Sequence, residues 1–261
     1  MKLINLNIWT GKIHSPLIEF IKKHRNDTDI FCFQEVSKSN RNIITHDTHS
    51  NMIGELVELL PDFNYNFAPI GEGYDTKGPV DFQLLIGQAT FVKKDLKIID
   101  EGDIFVYRKL GDMGIPHPDG RPDFPRNFLY SEIEKEGKKF LVLNIHGFWE
   151  PKPKYDTPQR FTQSQMILDF ISKYNCPKII AGDLNLSMDT HSIKMLEEKL
   201  KNLVKEYGFT TTRSGLYDPY YRSHDKFADY IFVSRDFEVK DFKVLEDQVS
   251  DHLPLYLNFE A

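Results

Sequence analysis

Cysteine is scarce in this chain: there are two, Cys32 and Cys176, in 261 residues. Each sits in or beside an apolar run, "DIFCFQEV" and "NCPKIIAGDL", which reads as a pair of buried, reduced thiols and argues against a disulfide framework or a cysteine-built metal cluster. Long hydrophobic runs are also missing. No stretch approaches the roughly 20 consecutive apolar residues that a membrane-spanning helix needs, so no membrane span is expected. An excess of positive charge is missing too, since 33 Lys and Arg stand against 39 Asp and Glu, for a net charge of −6. That balance weakens any role resting on non-specific grip of a polyanion, which shows as a basic domain, and leaves open only a local basic groove. The densest basic run, Lys22, Lys23, His24 and Arg25, follows the helical pattern of "SPLIEFIKKHR" and reads as a solvated helix end, where positive charge suits the dipole. The opening "MKLINLNIW" alternates as a strand does and carries no charged region leading into a long apolar one, so the cytoplasm is the default location.

What is present is the composition of a folded protein: 40% hydrophobic and 28% charged residues, with 20 Phe and 12 Tyr. These values exclude wholesale disorder. No repeat, low-complexity tract or linker divides the chain, so residues 1–261 are expected to form one domain, with no obligate protein partner evident. Strand-like runs fall at Leu3–Trp9, Ile30–Val36, Leu84–Val92, Leu96–Val106, Phe128–Ile133, Phe140–Ile145, Lys178–Ala181, Tyr230–Val233, Phe237–Val244 and Leu255–Phe259. Helical patterns cover Pro16–His24, about Met52–Leu60, Pro158–Tyr174 and Ser192–Leu200. The result is an α/β protein rich in strand. The hairpin "YSEIEKEGKKFLVLNIH", turning at "EGKK", adds an antiparallel component and excludes an all-parallel sheet. Residues 71–79 and 111–127 read as loops, the second long enough to be either functional or a surface insertion.

Polar residues collect where these strands end. Asn5 and Asn7 lie on the first strand, Gln34 and Glu35 end the second, and Asn144 and His146 end "FLVLNIH". Asp183 and Asn185 follow in "GDLN", Asp229 opens "DYIFVS", and Asp251 and His252 precede the last strand in "SDHLPL". Any one of these has a structural explanation, as a cap, a turn or a satisfied core side chain. Their joint occurrence on six distant segments is an active-site pattern. Several carboxylates buried together need a cation or a proton to offset their charge, and a hard divalent ion with oxygen ligands fits, because neither cysteine nor a closely spaced histidine pair offers a zinc site.

In order, Asn7, "QE", "NxH", "GDxN", the "DYI" strand and the terminal "SDH" resemble the endonuclease/exonuclease/phosphatase superfamily. It includes DNase I-like nucleases, deadenylases, inositol polyphosphate phosphatases and neutral sphingomyelinases. The resemblance runs from Leu3 to Leu257. It implies a four-layer DNase I-like sandwich, with two facing mixed β-sheets flanked by helices and the site at one edge. It further implies Glu35 as principal Mg²⁺ ligand, with Asn7 and Asp251 completing the metal site and Mn²⁺ a substitute for Mg²⁺. His252 would engage the phosphate with Asp229 orienting its other nitrogen, Asp183 would position and deprotonate the attacking water, and Asn185 and His146 would donate to phosphate oxygens. The expected function is Mg²⁺-dependent phosphoester hydrolysis by a nuclease, with nucleic acid as the substrate. The alternatives are a phosphatase or phosphodiesterase for a small phosphorylated metabolite, inositol phosphate or phospholipid headgroup, and, more remotely, a catalytically idle binding module. Arg121 and Arg126 admit either phosphate contact or plain structure, Trp149 either base stacking or packing, and Arg160 and Gln163 read as structural.

Overall fold

The computed structural model describes residues 1–222 and 224–260; Ser223 and Ala261, inside the expected unit of 1–261, lie outside the described residues. The strands are β1 (Lys2–Asn7), β2 (Ile30–Lys38), β3 (Ile44–Thr45), β4 (Thr48–His49), β5 (Phe63–Glu72), β6 (Leu85–Lys93), β7 (Lys97–Tyr107), β8 (Arg126–Lys135), β9 (Lys138–His146), β10 (Lys178–Asp183), β11 (Leu200–Asn202), β12 (Asp229–Ser234), β13 (Glu238–Val244) and β14 (Leu255–Glu260). The helices are α1 (His14–His24), α2 (Met52–Leu59), α3 (Pro158–Ile171), α4 (His191–Glu197), α5 (Leu203–Glu206) and α6 (Pro219–Arg222).

Two sheets carry the fold, ordered β13-β14-β1-β2-β6-β5 and β11-β12-β10-β9-β8-β7. Each is mixed: β1 and β2 run parallel in one, β9 and β10 in the other, and the remaining neighbours are antiparallel. The sheets face each other with β1 and β2 opposite β9 and β10. Period-two alternation explains why β1 is buried on both sides. Leu3 joins the core between the sheets, whereas Ile4 and Leu6 pack outward under α1 and α2 with Leu17, Phe20, Met52 and Leu56. Helices α3, α4 and α5 contribute Ile167, Ile171, Ile193, Leu196 and Leu203 to the core of the second sheet. The architecture is the expected α/β sandwich of two facing mixed sheets flanked by helices.

The same alternation puts Asn5 and Gln34 between the sheets, where hydrocarbon would be the norm. Gln34 Nε2 donates to Asn5 Oδ1 at 2.8 Å and across the sandwich to Asn144 Oδ1 at 2.7 Å. Asn144 Nδ2 donates in turn to the Ala89 carbonyl at 3.0 Å. These amides form a polar strut that leads from the core to the site edge.

Some elements differ from the sequence reading. Strand β5 is absent from it because "FNYNFAPIGE" is diluted by asparagine and broken by Pro69; an edge strand with a register shift at Pro69/Gly71 tolerates both. The helical run expected over Ser192–Leu200 ends at Glu197, since Leu200–Asn202 pairs with β12 as a second edge strand. Helix α1 starts at His14, two residues before Pro16, because proline is tolerated in a helix's first turn. The hairpin turns as expected, with Glu136 and Gly137 at φ 52° and 79° between Lys135 and Lys138. Lys22 and Lys23 are exposed in the last turn of α1, and no helix among the described residues is long and apolar enough to cross a membrane.

Candidate active site

Strand register assembles the site. In the second sheet Asp183 at the end of β10 is paired on one side with His146 and on the other with Asp229, so three functional side-chain positions form one row. Gly182 makes that row possible. It adopts φ 150°, and a Cβ there would stand 2.1 Å from the Ile145 carbonyl oxygen. Past Asp183 the chain turns sharply: Asn185 takes φ 54° and its N–H returns to Asp183 Oδ1 at 2.9 Å.

On the facing sheet, β2 is bulged between Phe33 and Val36, and Glu35 sits at φ 53°. A non-glycine residue rarely holds that conformation, and bulges re-aim side chains. Here Asn7 Nδ2 donates to Glu35 Oε1 at 3.0 Å and bridges the sheets to Asp183 Oδ2 at 3.3 Å. His146 Nε2 lies 3.9 Å from Glu35 Oε1. The loop before β14 supplies the rest. His252 Nδ1 is 2.7 Å from Asp229 Oδ2, and its Nε2 lies 3.7 Å from Asp183 Oδ2 and 3.9 Å from Asp251 Oδ1. All eight residues expected at the site, Asn7, Glu35, His146, Asp183, Asn185, Asp229, Asp251 and His252, are thus connected at one edge of the sandwich.

Three cations complete it. Arg213 bonds His252 Nε2 and stacks its guanidinium 4.1 Å over the Tyr217 ring. Lys154 bonds Asn185 Oδ1. Arg126, at the start of β8, is buried within the field of Glu35 and Asp183. The sequence singles out Arg126 but neither Lys154 nor Arg213. Lys154 lies in "EPKPKYD" and Arg213 in "TTTRSG", irregular segments where nothing local announces that a charged side chain will be buried.

These charges set the protonation states. Burial would raise the Asp183 carboxyl, but the positive charge of His252, Lys154 and Arg213 outweighs it and holds Asp183 well below the usual carboxylate range. Burial lowers Lys154 most, helped by Arg213, to about 8. Burial also drives His146 well below the ordinary histidine value, so it is a neutral imidazole. For His252, burial and Arg213 push downward, and the carboxylates of Asp229, Asp251 and Asp183 prevail upward. The Arg213 contact requires Nε2 as acceptor, so in its neutral form His252 carries the proton on Nδ1, facing Asp229.

A hard divalent cation fits the oxygen donors. Burial raises Glu35, and the neighbouring Asp251 charge raises it further, so a cation between them relieves both. Asn7 presents its amide nitrogen to Glu35 while its Oδ1 accepts from the Trp9 N–H at 3.0 Å, so direct ligation by Asn7 requires the amide to turn. Asp183, Asp229 and His252 also converge within 4.8 Å, but both His252 nitrogens are engaged by protein groups, which makes this a hydrogen-bonded set.

The loop at 111–127 packs beside the site. Arg121 stacks 4.1 Å over Trp149 and His117 meets the same ring edge-on at 5.1 Å, so Trp149 is packed by protein. Gln163 accepts from the Phe148 N–H at 2.6 Å, and fully buried Arg160 donates to the Pro153 carbonyl at 3.2 Å; both are structural.

Comparison with known proteins agrees with this geometry. A Staphylococcus aureus phospholipase C is 32% identical over 130 residues, which is 44% of this chain and 38% of that protein's own length. A probable CCR4-Not complex 3′-5′-exoribonuclease subunit of Vairimorpha ceranae is 26% identical over 172 residues, 61% of this chain and 33% of its own. Among solved structures, an endonuclease/exonuclease/phosphatase family protein from Leptotrichia buccalis superposes with a TM-score of 0.72 at 20% identity, covering 100% of both chains. The family model for Endonuclease/Exonuclease/phosphatase matches residues 4–252, and the chain belongs to that family.

Proposed function

We propose that this protein is a Mg²⁺-dependent phosphodiesterase. The observation that carries the reading is His252 held between Asp229 and Arg213 beside an ionised Asp183. Bound at Glu35 and Asp251, with Asn7 after its amide turns, Mg²⁺, or Mn²⁺ in its place, would supply Lewis-acid stabilisation of the phosphate and the leaving oxygen.

The chain's own residues do the rest. Asp183 orients the attacking water. Held so far below the usual carboxylate range, it is a poor proton acceptor, so His252 Nε2 is the better base once Arg213 turns from it to the phosphate. Asp229 then stabilises the imidazolium through Nδ1. Neutral His146 and the Asn185 amide donate to the non-bridging oxygens, and Lys154, Arg213 and Arg126 balance the charge that builds there.

Two substrate classes are supported. The nucleic acid expected from the sequence draws support from the exoribonuclease relative. A phospholipid headgroup draws support from the phospholipase C relative, the net charge of −6 and exposed apolar side chains. Ile115 in the 111–127 loop, Tyr155 next to Lys154 and Tyr220 three residues past Tyr217 are exposed (88%, 65% and 76%), which suits an amphipathic surface rather than a polyanion. These side chains favour the headgroup. The cytoplasmic location and the single unit over 1–261 belong to the same proposal.

The deciding experiment is hydrolysis by wild type and His252→Ala, with Mg²⁺ and with EDTA, of phosphatidylcholine and sphingomyelin vesicles, single-stranded DNA and RNA, and inositol phosphates. Metal-dependent cleavage of vesicles alone, lost in the variant, supports the headgroup reading; cleavage of RNA or DNA alone reverses it. Silence toward every phosphodiester leaves the idle binding module.

A further inference from the structure

A second cluster of ligating side chains shares no residue with the catalytic row. His14 opens α1, His49 ends β4, and Glu55 lies in the first turn of α2. These positions are far apart in sequence, and folding closes the histidine pair that the sequence did not reveal. His14 Nε2 is 2.5 Å from Glu55 Oε2, and His49 Nδ1 is 4.0 Å from the other carboxylate oxygen, Oε1. The two imidazoles are stacked, with centroids 4.0 Å apart and planes 3° from parallel. One ligand atom from each of the three residues lies within 4.8 Å of the others.

A close ion pair joins His14 to Glu55, whereas His49 Nδ1, at 4.0 Å, stands beyond hydrogen-bond distance of the carboxylate. Two stacked imidazolium rings would repel, so one ring offers a lone pair, and His49 is the candidate: burial, then the His14 charge, lowers its pKa. The corner is firmly anchored, as Ser37 Oγ, two residues past Glu35 on β2, donates to the His49 carbonyl and accepts from the Met52 N–H at 3.2 Å. Two nitrogens and one carboxylate are the donor set of borderline transition metals and not of magnesium. Donors about 2.0–2.2 Å from a tetrahedral ion stand roughly 3.3–3.6 Å from one another, so side-chain rotation must part His14 from Glu55, now at 2.5 Å, and draw His49 in from 4.0 Å.

We infer that His14, His49 and Glu55 form a binding site for a divalent transition metal of the Zn²⁺ class, which ties the start of α1 to the β4–α2 corner. A water completes the coordination. The site shares no residue with the catalytic centre and does not depend on the proposed reaction.

The test uses the full chain stripped with EDTA and titrated with Co²⁺, read by its visible absorption bands, and with Zn²⁺ against a chromophoric chelator. Wild type is expected to bind one equivalent that a 100-fold excess of Mg²⁺ leaves in place. His49→Gln and Glu55→Gln should each weaken that equivalent at least tenfold, with unchanged circular dichroism and unchanged Mg²⁺-dependent activity. Zn²⁺ should raise the melting temperature of wild type and not of the variants. Should either variant unfold, the histidine ¹⁵N resonances of wild type report the same event, His14 Nε2 and His49 Nδ1 shifting on addition of Zn²⁺. Equal retention of the Mg²⁺-resistant equivalent in both variants, resonances that do not move, or the lack of any such equivalent in wild type overturns the assignment.

Discussion

The buried ammonium of Lys154 gives a pH dependence that can be worked out beforehand. With its pKa at about 8, Lys154 is about 90% charged at pH 7 and about 10% at pH 9. If its charge is needed to receive the phosphate, kcat/KM, which reports the free enzyme, falls roughly tenfold across that interval. A bound phosphoester anion favours the ammonium, so the limb in kcat lies at higher pH than the limb in kcat/KM. Unfolding does not explain such a loss. The folded pKa is below the ordinary 10.5, so between about 8 and 10.5 the unfolded chain binds more protons and stability rises with pH. The shift corresponds to about 3 kcal/mol of unfavourable burial of the charged form below pH 8, relieved as the proton leaves. The assay is a pH series of initial rates on a chromogenic phosphodiester for wild type, Lys154→Met and Lys154→Arg. Lys154→Met should be slow and lack the limb, and Lys154→Arg should hold its rate to pH 9. A limb that persists unchanged in Lys154→Met, or a wild-type rate that does not fall by pH 9, refutes the reasoning.

Three further outcomes are expected. His252→Ala should lower kcat by about 10²–10⁴-fold with an unchanged circular dichroism spectrum, and normal turnover would remove His252 from the chemistry. Glu35→Gln keeps the side-chain volume and loses the charge, so the Mg²⁺ titration of activity should move to higher concentration by roughly tenfold or more, about 1.4 kcal/mol; an unmoved curve strikes Glu35 from the ligand set. Gly182→Ala places a methyl 2.1 Å from the Ile145 carbonyl oxygen at φ 150°, and urea unfolding should show a loss of about 1–3 kcal/mol or more, with no loss meaning that β9 and β10 can part freely.

Much of the scaffold was legible because central strands are marked locally. "INLNIW" and "KIIAGD" carry their apolar periodicity within six residues, and the side chains at their ends inherit a position from the strand. Asn7, Glu35, His146, Asp183, Asp229 and His252 could therefore be collected before any fold was known. Edge strands were less legible: β5 contains Pro69 and β11 has three residues, and both are held by a neighbour rather than by their own pattern.

By itself, then, the sequence determined the strand-rich α/β class, the polar residues at the strand ends and the family resemblance, since each rests on short-range pattern. Only the tertiary structure decided which distant residues share a field. The register of β9, β10 and β12 aligned His146, Asp183 and Asp229, and the bulge at Glu35 turned a strand residue toward the other sheet. Loop packing then buried Lys154 and Arg213 against them, and the meeting of α1, β4 and α2 brought His14 and His49 face to face. Burial and electrostatics depend on distances across the fold, and no local pattern encodes those distances.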